Sequence, residues 1–104
     1  MKNFSYARGD NFVLYHPEAP QVLNYNLDVY VQMIWFDIFN REVVVMYHDS
    51  LPIEDIPVVS KLKFVQHTLT GEITSEFYMD VELKEKTKSV LIYNIKHLDC
   101  KWIN

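Results

Sequence analysis

The sequence predicts an all-β fold: one domain, residues 1–104, of six or seven antiparallel strands in hairpin or meander order, forming a small barrel or sandwich. Three observations carry this expectation. Strand-forming Val, Ile, Tyr, Phe and Trp are frequent, while Ala7 and Ala19 are the only alanines. Apolar residues recur at every second position in the longest apolar stretch, residues 23–47. A second, one-sided alternation runs from residue 72 to 83. The alternative is an α+β fold with one helix around residues 56–69.

In the stretch 23–47, Leu23, Tyr25, Leu27, Val29, Val31, Met33 and Trp35 alternate with Asn24, Asn26 and Asp28, which reads as one dry and one wet strand face. Phe36 and Ile38 reverse the parity. An unbroken strand would therefore drive Asp37 into the core, and a β-bulge near Trp35 and Phe36 is expected to keep Trp35 buried and Asp37 exposed. Asn40-Arg41 reads as the turn, followed by a returning strand 42–48 with Val43, Val45 and Tyr47 on one face.

The chain before this hairpin offers two short apolar runs, around Phe4 and over residues 12–16, joined by Arg8-Gly9-Asp10, which reads as a hairpin turn rather than an adhesion tripeptide. After it, residues 49–57 contain Pro52 and Pro57 around Glu54-Asp55. Proline cannot donate to a ladder, so this segment is expected to be an exposed crossing. In residues 58–69 the positions Val58, Leu62, Val65 and Leu69 fit helical spacing, yet Val58-Val59 and Thr70-Gly71 favour a strand closed by a tight turn. Ile73, Phe77, Met79, Val81 and Leu83 then form the dry side of a strand. Residues 84–88 read as a charged turn before a last strand, 90–98, that is apolar on both faces. Such a strand is central in its sheet or lies at an interface.

Composition excludes several function classes. With 104 residues and 49% hydrophobic content, the chain is long and apolar enough to bury one core unaided. Only Gly9 and Gly71 are present, so there is no glycine-rich phosphate loop. The net charge is −4, and ten Lys and Arg form no basic stripe, which argues against nucleic acid as a partner. No run approaches a membrane span, and the N-terminus lacks the apolar run of a signal peptide. The only cysteine, Cys100, excludes an internal disulfide and suits a reducing, cytoplasmic setting.

Chemical candidates are sparse. His16, His48, His67 and His97 show no metal-ligand spacing and read as rim residues at strand ends; a cluster with Cys100 would require those ends to converge. Cys100 reads as a small buried hydrophobe. No nucleophile signature occurs. The expectation is no catalytic, metal or cofactor site, and no enzyme.

Seven tyrosines, six phenylalanines and two tryptophans point instead to protein binding. Tyr30, between Asp28 and Gln32, and Tyr78, between Glu76 and Asp80, fall on faces expected to be wet, and tyrosine is favoured where two proteins meet. The expected partner-binding residues are Tyr30, Tyr78, Glu54 and Asp55. Val90, Ile92 and Tyr93 of the doubly apolar last strand are expected to form a homodimer interface. The short, acidic, motif-free profile looks like that of small inhibitor, immunity or phage-encoded accessory proteins, a likeness of type carried by no motif. Alternatives are a small barrel holding an apolar ligand and a structural subunit of a larger assembly.

Overall fold

A computed structural model describes residues 4–7, 12–18, 27–37, 39–52 and 56–102 of the chain. The fold is all-β. Seven antiparallel strands form one sheet: β1 (Phe4–Ala7), β2 (Phe12–Tyr15), β3 (Val31–Asp37), β4 (Glu42–Tyr47), β5 (Lys61–His67), β6 (Ile73–Lys86) and β7 (Val90–Trp102). A single 3-10 turn, Leu27–Tyr30, precedes β3, and no α-helix occurs among the described residues; the segment around 56–69 holds β5.

The strands lie in the order β1-β3-β4-β7-β6-β5-β2. Hairpin order holds for β3-β4 and for the meander β5-β6-β7, while the β4-β7, β1-β3 and β2-β5 pairings are long-range. The expected hairpin turn, Arg8-Gly9-Asp10, lies outside the described residues, and among the described residues β1 and β2 are opposite edges of the sheet rather than paired neighbours. This arrangement requires strong curvature. Laid flat, the two edges would stand about 29 Å apart, yet only residues 8–11 join β1 to β2, and so short a link reaches at most about 17 Å. The sheet therefore curls into a nearly closed barrel.

The inner face is lined by Leu14, Ile34, Phe36, Val43, Val45, Tyr47, Leu62, Phe64, Met79, Val81, Leu91, Tyr93 and Ile95, all buried. Alternation on β4 is as the sequence predicts, with Val43, Val45 and Tyr47 inward, and on β6 Met79 and Val81 are buried with Phe77 and Leu83 half-buried, whereas Ile73, expected on the dry side, is exposed. On β3 the parity change comes earlier than expected. The ladder shifts between Val31 and Met33 and runs regularly from Met33 to Asp37, with no bulge at Trp35. Ile34 and Phe36 consequently face the core, while Trp35 shares the half-buried outer face with Asp37. Asp37 accepts from the backbone N–H groups of Phe39 and Asn40 and from Asn40 Nδ2, so its carboxylate organises the β3-β4 turn. Within that turn the positive φ falls on Arg41, at 54°, rather than on Asn40.

One barrel end is closed by aromatic rings. Phe64 stacks on Phe12 with centroids 5.0 Å apart, and Phe36, Phe64 and Phe77 meet at 5.7–6.0 Å in edge or tilted contacts. The other end is covered by the irregular segment after β4. There Ile56 and Val59 are buried in the core, and Lys86 Nζ donates to the Ile56 carbonyl, so this crossing is anchored rather than wholly exposed. Glu54 and Asp55 lie outside the described residues.

β6 and β7 are both longer than the alternation suggests, extending to Lys86 and Trp102, with their turn at 87–89. β7 is central, flanked by β4 and β6 over residues 91–94. Its double apolarity is thus absorbed within the sheet: Leu91, Tyr93 and Ile95 face inward, and Val90 and Ile92 lie half-buried on the outside.

Candidate functional site

A polar cluster lies where the chain was expected to place solvated rim residues. His16 follows β2, Asp28 sits in the 3-10 turn, and Tyr47 ends β4, and all three are buried. Asp28 Oδ1 accepts from the His16 backbone N–H at 2.8 Å and lies 2.7 Å from His16 Nδ1. A carboxylate has no proton to give, so Nδ1 is the donor. Nε2 of the same ring is hydrogen-bonded to the Tyr47 hydroxyl across 2.6 Å. Burial pushes the Tyr47 phenol well above its ordinary pKa, with smaller contributions from Tyr93 and Asp28. These hydrogen bonds join the end of β2, the 3-10 turn and the end of β4.

The expectations that His16 and Asp28 are solvated are corrected by this geometry. Of the other histidines, His48 and His97 are exposed and His67 is half-buried. They do not converge on Cys100, which is exposed rather than buried. Among the described residues no group of three His, Cys, Asp or Glu side chains stands ready to hold a metal ion.

The outer face of β2, β5, β6 and β7 gathers the exposed tyrosines. Register alone aligns Tyr15 with Lys63, Lys63 with Tyr78, and Tyr78 with Asp99, a row across four strands. Lys63 Nζ lies 5.8 Å from the Tyr15 ring centre and 5.3 Å from that of Tyr78, sandwiched between two π faces. The same ammonium is 3.9 Å from Glu76, and the Tyr78 hydroxyl donates to the other Glu76 oxygen. That hydrogen bond, more than desolvation, raises the Tyr78 pKa. A flanking row pairs Lys61 with Asp80 at 2.7 Å, and their hydrogen bond lowers the Asp80 pKa and raises that of Lys61.

Tyr15 and Tyr78 are 40% and 37% exposed, enough to offer ring area while their backbones stay fixed in a sheet. The row holds one of the expected partner-binding residues. Tyr30 does not join it: the 3-10 turn directs that side chain against the core, and β4 and β7 lie between β3 and β6. Tyr93 cannot contribute to a dimer surface, because its side chain points into the barrel with no exposure and its hydroxyl accepts from the Val59 N–H at 3.4 Å. Tyr15 and Lys63 were missed in the sequence because nothing local to either shows that β2 and β5 are neighbours.

No helix among the described residues is long and apolar enough to cross a membrane. In comparisons with known proteins, no family model, no curated protein and no solved structure matches this chain.

Proposed function

We propose that this protein is a non-enzymatic binding module that engages another protein through the outer face formed by Tyr15, Lys63, Tyr78 and Glu76. The observation that carries this reading is the Tyr15-Lys63-Tyr78 sandwich. It presents two partly exposed aromatic rings on rigid backbone, held by a cation and a carboxylate that can also meet a partner's polar groups. Tyrosine so held loses little conformational freedom on association, which lowers the entropic cost of a contact. A role as a small inhibitor or regulatory accessory protein, acting in a reducing compartment, suits the short chain, its net charge of −4 and its lone thiol.

The test is capture of a partner from an extract of the native source on immobilised native chain and on a Tyr15→Ala/Tyr78→Ala variant, with circular dichroism to establish that both are folded. The proposal expects a protein retained by the native chain and lost by the variant. Equal retention by both would overturn the assignment of this face.

A further inference from the structure

We infer that two copies of this chain associate through the free edge of β7, pairing antiparallel with Cys100 opposite Cys100. β4 accompanies β7 only from Val90 to Asn94. Arg41 then ends the ladder: its carbonyl accepts from the Ile95 N–H at 2.7 Å, and its guanidinium donates to the carbonyls of Ile95 and Lys96. From His97 to Trp102 the strand is paired on one side only, with β6, in an unbroken register running from Asp80↔His97 to Ser75↔Trp102. Among the described residues no other strand pairs with the other side.

A strand edge of this kind pairs readily with another strand unless it is broken by proline, a bulge or an inward charge. Residues 97–102 contain none of these on the inner side. Register with Met79, Phe77 and Ser75 puts Leu98, Cys100 and Trp102 on the inner face, and Trp102 is 72% exposed although its ring meets Phe77 at 6.2 Å. Asp99 and Lys101 lie on the outer face.

A second copy is the occupant that the side chains of this edge complement. A two-fold axis perpendicular to the sheet keeps both inner faces on one side, so opposed residues must share a face. Centred on Asp99 or on Lys101, such a pairing sets like charges directly opposite each other. Centred on Leu98, it needs the edge at Lys96 that Arg41 occupies. Centred on Cys100, it sets Asp99 against Lys101 twice on the outer face and Leu98 against Trp102 twice on the inner face. Opposite charges and apolar pairs at directly opposed positions are the stabilising cross-strand contacts of antiparallel sheets. The two thiols would then face each other with Cα atoms about 4.5 or 5.5 Å apart, depending on the type of pair, and either separation suits a disulfide.

Diamide tests this register on the full chain: each molecule of oxidant takes up two hydrogens and converts two Cys100 thiols into one intermolecular disulfide, read on a non-reducing gel. The native chain is expected to cross-link and Cys100→Ser not to. Asp99→Lys and Lys101→Asp each oppose like charges twice and should slow cross-linking about three- to tenfold. The double variant, Asp99→Lys with Lys101→Asp, restores opposite pairs and should recover the native rate. All three residues are exposed, and circular dichroism checks that each variant is folded. Absence of cross-linking in the native chain, equal rates in the single variants, or failure of the double variant to recover would each overturn the proposal.

Discussion

His16 and Asp28, twelve residues apart and both buried, form two hydrogen bonds through one carboxylate oxygen, which accepts from the backbone N–H and from Nδ1 of the same histidine. With Tyr47 on Nε2, the ring has both nitrogens partnered, and a polar group withdrawn from water keeps its hydrogen-bonding capacity.

Removing either outer member should therefore cost more than one ordinary hydrogen bond. Asp28→Ala leaves the His16 N–H and ring donor buried without an acceptor, and a loss of about 2–3 kcal/mol is expected. Tyr47→Phe strands only Nε2 and should cost about 1–2 kcal/mol. Urea titration of both variants against the native chain measures the order.

The same tyrosine sets an alkaline limit. Its folded pKa lies above that of a free phenol, near 10, so the native state holds the proton more tightly than the unfolded chain. Stability is then intact below pH 10 and falls as the pH rises through the folded value. In Tyr47→Phe the fall above pH 10 should be shallower, with Tyr93, whose pKa burial raises, and Tyr78, whose pKa its hydrogen bond to Glu76 raises, among the groups that supply the remainder. Midpoints measured from pH 8 to pH 11 decide this.

At the acid end the corresponding group is Glu18. Its carboxylate accepts from the Ser60 N–H at 2.7 Å, the Ser60 hydroxyl at 2.8 Å and the Lys61 N–H at 3.3 Å, and these bonds, led by that from the Ser60 backbone, lower its pKa below 4.5. A lowered carboxylate pKa contributes stability above the unfolded value that disappears as the pH falls through the folded one. Glu18→Gln should flatten that acid-side loss, and Glu18→Ala should cost about 1 kcal/mol at neutral pH, since the site is partly exposed.

Phe77 and Tyr78 are neighbours in β6 on opposite faces. Phe77 touches Phe36, Phe64 and Trp102, so Phe77→Ala should cost about 3 kcal/mol. Tyr78→Ala loses only an exposed hydrogen bond and a contact with Lys63 and should cost much less than Phe77→Ala. Equal losses in a denaturant titration would contradict the face assignment.

Period-two alternation is a local property, and the sequence by itself determined whatever depends on it. Strands β4 and β6, the inward set Val43, Val45 and Tyr47, the opposed roles of Phe77 and Tyr78, and the all-β class follow from residues close in the chain. That β3 must change parity was equally legible, since Val31 and Phe36 cannot both face inward on a regular strand. Where it does so was decided by tertiary pairing: the shift at Gln32 leaves the ladder from Met33 to Asp37 free to match β4 without interruption. Asp28 next to Gln32 and Tyr30 has the local signature of a wet face, and only the arrival of His16 from the opposite edge of the sheet supplies the donors that make its burial tolerable. Tyr93 and Tyr15 show the same division. Each lies in an apolar run readable as a strand, but whether its ring faces the core or the solvent depended on strand neighbours as much as fifty residues away in sequence, β4 for Tyr93 and β5 for Tyr15. Long-range strand order is set by how the whole sheet closes over its interior, and no stretch of sequence records that closure by itself.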